Sequence, residues 1–405
     1  MGEIRFIHTA DLHLGSPFTG MRGLQPDQWK KLKDSTLDAF GRLIDYAVKE
    51  QPDFVLIAGD IYDGEDRSIR AQHRFQQGMQ KLSEAGIPVV LSYGNHDHLS
   101  GKWTRFELPE NVYAFDEAVS QIRLSTANGD VVITGFSYAQ RHVKEPVIHQ
   151  YPIAEEKDAV YIGMLHGSLE GDTAHAVYAP FTKQQLLSKN YDYWALGHIH
   201  MRQLLHTDPP VIYPGNLQGR HKNESGPKGF YDVRLSGGAS NLSFIPASVL
   251  QFDEVMVDCS GIVHMNELLD ACLAEAQEFT EQYGAGIVEV KLVNLNEEAQ
   301  DMVKGITEEE LMETIRESFS TLDDLVWVQS IAVDGIQTPA ELSPLGEEIM
   351  DRMAGWQLSD WKEVLKDLYR HPKGSRFLEA LDPLKATEIQ TAAAEKIRRG
   401  MHLEE

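Results

Sequence analysis

The 405-residue sequence predicts an α/β protein: two packed β-sheets flanked by helices, then a small α/β second domain and a helical C-terminal segment. Three observations lead there. Over the first 250 residues, short apolar runs rich in Val, Ile and aromatics alternate with helical patterns. Around residue 250 the pattern restarts as strand, helix, strand. From Thr338 onward the chain reads as helices alone.

Taken in order, Ile4–Thr9, Phe54–Ala58, Val89–Ser92, Val131–Phe136, Val160–Leu165 and Tyr193–Leu196 read as buried strands. Between the first two, Trp29–Lys49 sets Leu32, Leu37, Phe40, Leu43, Ile44 and Ala47 near helical spacing, and Pro52 ends the pattern. Val211–Tyr213, Phe230–Leu235 and Leu242–Ile245 add strands with Gly-rich connections. The second unit runs as strand around Leu250–Asp258, helix Met265–Tyr283 and strand Gly286–Val293. Thr307-Glu308-Glu309-Glu310 is a capping-box sequence, in which each end satisfies the other's free amide, and Val326–Val333 closes the unit as a strand. Pro344, Pro372 and Pro383 interrupt the helices of the tail. The expected domains are 1–250, a catalytic domain; 251–337, a small acidic domain; and 338–405, a helical segment able to dock a partner.

Composition narrows the class. With 42% apolar and 24% charged residues the chain is neither disordered nor fibrous. No run of about 18 apolar residues occurs, so no transmembrane helix is expected. The N-terminus enters a strand-like segment with no charged-then-apolar leader, and only Cys259 and Cys272 occur. A disulfide scaffold is excluded, and the cytoplasm is the expected compartment. The net charge of −25 opposes a nucleic-acid partner until its distribution is read. Residues 251–350 hold 23 acids against 3 bases, whereas the first 250 hold 29 against 24. Acidity belongs to the middle domain, where a solvated face is the simplest reading.

Five motifs place oxygen and imidazole groups directly after a strand: Asp11-Leu12-His13, Gly59-Asp60-Ile61-Tyr62-Asp63, Gly94-Asn95-His96-Asp97, His166-Gly167 and Gly197-His198-Ile199-His200. Loops at the carboxyl ends of strands in an α/β fold converge on one crevice. Residues two apart on an extended chain, such as Asp11/His13 and His198/His200, point to one side and can grip the same or adjacent ions. Carboxylate, imidazole and amide groups without thiolate suit Mn²⁺, Fe or Zn better than Ca²⁺ or Mg²⁺. The seven candidate ligands are Asp11, His13, Asp60, Asn95, His166, His198 and His200. They exceed what one tetrahedral ion uses. Two ions about 3.5–4 Å apart, sharing a carboxylate, fit better and are the usual apparatus of phosphate-ester hydrolysis.

The ordered set resembles the calcineurin-like metallophosphoesterase superfamily. Within it, His8-Thr9-Ala10-Asp11-Leu12-His13-Leu14-Gly15 and Leu165-His166-Gly167-Ser168 resemble DNA repair nuclease subunits of the SbcD kind, nearest a branch called YhaO-like. The resemblance covers residues 8–200, and beyond 250 it is one of layout only. It implies a four-layer fold and a DNA exonuclease, possibly also an endonuclease, that works with an SMC-like ATPase, and it implies a homodimer. Asp11, His13 and His200 would hold one ion, Asn95, His166 and His198 the other, with Asp60 bridging. Water activated between the ions would attack phosphorus. His96 would protonate the leaving oxygen, oriented by Asp97 or a nearby carboxylate. Asp63 stands where some repair nucleases carry a substrate-guiding His. Gly64-Glu65 replaces the Arg-Gly of the Ser/Thr phosphatase branch and counts against protein phosphatase activity.

Each feature also has a plainer reading. Asp and Gly at strand ends are common turn formers, so the ordered set of five carries weight that no single motif does. His166 alone could be a capping or core histidine, and mid-strand His8 reads as structural. His98, His142, His175 and His221 read as solvated loop residues near the crevice. Gly101-Lys102 lacks the earlier glycine of a Walker A loop, so an ATPase would have to be a separate chain. Arg398-Arg399 is too short for a nucleic-acid patch. The stripe Trp356, Leu358, Trp361, Val364, Leu365, Leu368 and Tyr369 either packs on this chain or docks a partner. Two rival functions stand beside the nuclease: a small-molecule phosphoesterase, and a repair subunit whose catalysis is vestigial.

Overall fold

In the computed structural model, β1 (Ile4–Thr9), β2 (Phe54–Ala58), β3 (Val89–Ser92) and β4 (Val112–Ala114) pair in that order as parallel neighbours. The structure describes residues 2–18, 21, 23–64, 68–101, 106–156, 158–171, 178–334, 344–371, 378, 381, 382, 385–387, 389–391, 393 and 394. A second sheet is made by β5 (Ser120–Thr126), β6 (Gly129–Gly135), β7 (Ala159–His166), β8 (Tyr193–Gly197), β9 (Gln203–Thr207) and β10 (Pro210–Tyr213). Its order is β5-β6-β7-β8-β10-β9, with a parallel centre and antiparallel edges. β11 (Gly229–Ser236) and β12 (Ala239–Pro246) return to the first sheet and join it antiparallel beside β1.

Alternation along each strand distributes the core. Phe6, Phe54 and Leu56 face Ile133, Ile162 and Ala195 of the other sheet and form a dry layer between the two. Ile7, Val55 and Ile57 point the other way, onto helices α1 (Pro26–Glu50) and α2 (Ile69–Glu84). Leu37, Phe40 and Leu43 of α1 and Phe75 and Met79 of α2 complete that layer. Each such side chain contributes about 1.5–3 kcal/mol relative to exposure, enough to hold helices whose remaining faces are polar. On the outer face of the second sheet, Tyr161, Trp194 and Leu196 pack with Tyr151, Phe181 and Leu186, the last in α3 (Lys183–Leu187). The expected class, two sheets flanked by helices, is the observed one.

Strands β4, β5 and β9 have no counterpart in the sequence reading. β4 and β5 are mostly exposed and β9 is an edge strand, so none presents an apolar run.

A third sheet follows, ordered β13-β14-β15. Its elements are β13 (Gln251–Asp258), α4 (Met265–Tyr283), β14 (Gly286–Val293), α5 (Glu297–Lys304), α6 (Glu308–Phe319) and β15 (Val326–Val333). At the head of α6 the Thr307 hydroxyl accepts from the Glu310 amide at 3.2 Å, which is one half of the expected capping box. Compactness divides the chain into Met1–Ala332 and Val333–Glu405, so nearly all of the small sheet falls in the same unit as the two-sheet body. The reason is a shared apolar cluster: Phe18 and Leu32 of the body pack with Phe252, Ile287 and Trp327.

The second unit holds α7 (Pro344–Ala354), α8 (Leu358–Val364) and α9 (Lys366–Tyr369). The aromatic stripe divides there. Trp361 is buried with Trp356, Leu358 and Leu365 around it, whereas Val364 and Leu368 are exposed. Pro372, Pro383 and Arg398-Arg399 lie outside the described residues. No helix among the described residues is long and apolar enough to cross a membrane.

Candidate metal centre

Every expected ligand follows the carboxyl end of a parallel strand: Asp11 and His13 after β1, Asp60 after β2, Asn95 after β3, His166 at the end of β7, His198 and His200 after β8. Because the two sheets pack face to face, these ends meet. The backbone is bent hard to aim them. Asp11, His13, Asp60 and His198 have φ of 51°, 44°, 50° and 99°, in the left-handed region that non-glycine residues avoid at a cost of about 1–3 kcal/mol each. Gly94 serves closeness instead: a Cβ there would lie 2.3 Å from Asp60 Oδ1 and 2.7 Å from His166 Nε2.

Three overlapping groups form among the described residues, one of them His13, Asp63 and His96. Asp11, His13 and His200 offer one ligand atom each within 4.8 Å of one another, and so do Asp11, Asp60 and His166. Asn95 Oδ1 lies 3.0 Å from His166 Nε2 and 3.2 Å from His198 Nδ1. Asp11 accepts the His198 amide on both oxygens at 3.0 Å, locking the turn that carries the His198/His200 pair.

Tautomers test whether this cage fits a cation. His166 Nδ1 lies 3.0 Å from the Ala58 carbonyl, which can only accept, so Nδ1 carries the proton and the Nε2 lone pair faces Asp60 Oδ2 at 3.4 Å. His200 Nδ1 donates to Glu224 Oε1 at 2.7 Å, and His13 Nδ1 faces Asp63 Oδ1 at 3.4 Å. His13 Nε2 and His200 Nε2 lie 3.0 Å apart. Two ring nitrogens this close need a proton or a cation between them. The charges agree. Burial drives the His166 pKa down, yet Asp60 and Asp11 more than offset it and raise it to about 9. Burial pushes Asp11 up to about 6. The cage draws a proton to His166 and Asp11, whereas burial and Arg220 hold the His13 pKa down to about 3; carboxylates, imidazoles and an amide at these distances are donors that fit a pair of divalent ions.

Of the orienters left open for His96, Asp97 or a nearby carboxylate, the contacts favour the second. Asp97 is fully buried, and its oxygens accept the Ile61 amide at 2.7 Å and the Gly94 amide at 2.6 Å, tying two ligand loops together. The carboxylate facing His96 is Asp63, with Oδ1 at 3.2 Å from His96 Nδ1. His96 is partly exposed, its side chain 30% accessible and that of His200 25%, against 0–1% for His13, Asp60 and His166. Its amide donates to Asp60 Oδ1 at 2.9 Å, which fixes it beside the cage. Burial opposes its charge, but Asp60 and Asp63 outweigh burial and raise its pKa above the ordinary imidazole value.

The calcineurin-like phosphoesterase family matches residues 4–202, the span that holds all seven ligands. The uncharacterized metallophosphoesterase YhaO of Bacillus subtilis (strain 168) is 35% identical over 402 residues, 98% of each chain. This chain belongs to the calcineurin-like metallophosphoesterases. The metallophosphoesterase is also 25% identical to the DNA double-strand break repair protein Mre11 of Sulfurisphaera tokodaii over 240 residues, 56% of this chain and 59% of that one. Among solved structures, TT1561 of Thermus thermophilus is 11% identical, with 60% of this chain and 98% of that one covered and a TM-score of 0.34. Membership makes the protein a metal-dependent hydrolase of phosphoric esters.

Sequence reading of the metallophosphoesterase missed Arg220 and Glu224, on the loop between β10 and β11. Glu224 is buried and orients His200. Arg220 reaches Glu224 Oε1 at 3.1 Å and Asp63 Oδ1 at 3.5 Å. Neither belongs to a strand-end motif. The faint signal was Gly215-Asn216, a turn with one glycine at φ 77° directly after a buried strand. Of the remaining histidines, His8 is buried between the Tyr193 hydroxyl (2.9 Å) and the Leu196 carbonyl (3.2 Å), as a structural residue should be. His98, expected in solvent, is buried instead and contacts Ser100 Oγ at 3.0 Å. His142 is exposed and stacks on Tyr178. His221 is half exposed, 3.4 Å from Glu224. His175 and Lys102 lie outside the described residues.

Proposed function

We propose that this metallophosphoesterase is a phosphodiesterase that cuts DNA in repair, with two divalent ions, Mn²⁺ favoured, and an SMC-like ATPase partner. Asp11, His13 and His200 would hold one ion, Asn95, His166 and His198 the other, and Asp60 both. Bound there, the ions supply hydroxide near neutral pH and offset charge on the phosphate oxygens. The protein's own contribution is the proton. His96, with Nδ1 against Asp63 and its ring at the mouth beside His13, keeps Nε2 for the departing oxygen. That placement is the observation carrying the reading. A subunit with vestigial catalysis has no use for a half-exposed imidazole paired to a carboxylate.

Support for DNA comes from the relative named as a double-strand break repair protein. The first 250 residues, 29 acids against 24 bases, do not oppose it, but their moderate charge is what keeps the small-molecule rival alive. A homodimer belongs to the same proposal. The test is Mn²⁺-dependent cleavage of end-labelled linear double-stranded DNA, beside bis-p-nitrophenyl phosphate, by wild type and His96→Ala. Shortened DNA with wild type and intact DNA with the variant, at equal metal content by elemental analysis, is the expected result. Hydrolysis of the small diester alone would make the small-molecule rival the better account. Equal turnover by the variant would remove His96 from the chemistry.

A further inference from the structure

We infer that Arg220 and Glu224 are two positioning residues on one polar run, Arg220 acting on the proton donor through Asp63 and Glu224 on the metal ligand His200, a reading that rests on the role of His96 proposed above. An unbroken run of polar contacts skirts the mouth of the site. His96 Nδ1 faces Asp63 Oδ1 at 3.2 Å, and Arg220 Nη1 faces the same oxygen at 3.5 Å. Arg220 Nη2 donates to Glu224 Oε1 at 3.1 Å, and the same oxygen accepts His200 Nδ1 at 2.7 Å. The run joins residues from four separate loops.

The carboxylates are not interchangeable. Asp63 accepts Ser16 Oγ at 2.6 Å and meets two imidazoles, so it needs a fixed cation to hold one orientation. Arg220 supplies that cation from a planar fork, which a lysine cannot reproduce. Glu224 is pinned by Asn216 Nδ2 and the Arg220 amide, each at 2.8 Å to Oε2, leaving Oε1 for His200 and the guanidinium. Lys228 Nζ donates to the His200 carbonyl at 3.1 Å, so His200 is held at both backbone and ring. The two residues therefore do separable work. Glu224 sets the direction of a metal ligand. Arg220 sets Asp63, and through it the imidazole that protonates the leaving oxygen.

The separation makes the inference testable. Phosphodiesters of graded leaving group, from p-nitrophenyl to unsubstituted phenyl, report the proton donor: p-nitrophenolate leaves without a proton, phenolate needs one. His96→Asn sets the reference, a steep dependence on leaving-group acidity. Arg220→Gln is expected to lose roughly tenfold or more on the phenyl ester relative to the p-nitrophenyl ester, within the 10²–10⁴ that general acid catalysis supplies. It should add nothing further in the His96→Asn background. Arg220→Lys should fall between. Glu224→Gln is expected to weaken Mn²⁺ binding by about 10–100-fold in isothermal titration. Saturating Mn²⁺ should restore its rate on both esters.

Circular dichroism and unfolding midpoints identify variants that fold. If Arg220→Gln and Arg220→Lys both keep the wild-type leaving-group dependence, or lose both esters equally, Arg220 has no hold on the acid and the inference fails. Wild-type Mn²⁺ affinity in Glu224→Gln overturns the other half. If His96→Asn itself leaves the dependence unchanged, the acid assignment falls first and takes this inference with it.

Discussion

Replacing Gly94 by alanine would place a methyl carbon 2.3 Å from Oδ1 of Asp60 and 2.7 Å from Nε2 of His166. The φ at Gly94 is not positive, so the substitution is a steric probe of the cage and not of backbone strain. Relief requires Asp60 to retreat by about 1 Å, which breaks the 2.9 Å bond it accepts from the His96 amide. A lost hydrogen bond to a charged group costs about 1.5–3 kcal/mol, and overpacking adds about 1–3 kcal/mol. The expected destabilisation of the metal-free protein is thus about 3–5 kcal/mol, measurable by urea unfolding in EDTA. Turnover of bis-p-nitrophenyl phosphate should fall about 10²-fold, since a displacement of this size misplaces reacting groups. Mn²⁺ affinity should fall with it, because Asp60 Oδ2 lies 3.4 Å from His166 Nε2 and 3.9 Å from His13 Nε2. Gly94→Ala with wild-type stability and wild-type Mn²⁺ affinity would refute the claim that this glycine exists to let the backbone reach the cage.

Other perturbations separate fold from site. Gly41 sits inside α1 with open space around its Cα, so Gly41→Ala should raise stability by about 0.5–1 kcal/mol without touching activity; a loss of stability would contradict it. Asp232 accepts from Arg5 and from the Tyr46 hydroxyl, tying β1, β11 and α1 together. Asp232→Ala should cost about 3 kcal/mol, the low end for a broken buried pair because Arg5 keeps Glu50; a change under about 1 kcal/mol in chemical unfolding would show the pair to be incidental. Burial lowers the His8 pKa to about 3. As pH falls below about 6.5 the unfolded chain takes up the proton first, so the stability held by neutral His8 is complete above that pH and declines by about 1.4 kcal/mol per unit below it. By pH 5 wild type should have lost about 2 kcal/mol more than His8→Gln, both in EDTA; parallel acid slopes would exclude His8 as the cause.

Legibility followed a physical rule. Runs such as Phe54–Ala58 and Gly286–Val293 were readable because a strand covered on one or both faces must be apolar at fixed spacing. Edge strands β5 and β9 were not, since their exposed faces impose no pattern. The seven candidate ligands were readable because each stands at a strand end or in the few residues after it, in residue types with few other reasons to occur there in that order. The aromatic stripe was readable as apolar but not as to its partner, because burial of Trp361 beside exposed Leu368 depends on where the helices turn.

By itself the sequence determined the sheet-bearing body, the convergence of five strand ends and the chemistry of their ligands, since all three are written in local spacing. Only the tertiary structure decided who holds whom. Asp63 faces His96, while Asp97 accepts two backbone amides. Arg220 reaches Ser16 across 204 residues, and Glu224 orients His200 from the far side of β10. Such contacts cost loop closure and gain electrostatics, and neither leaves a period in the chain for a reader to find.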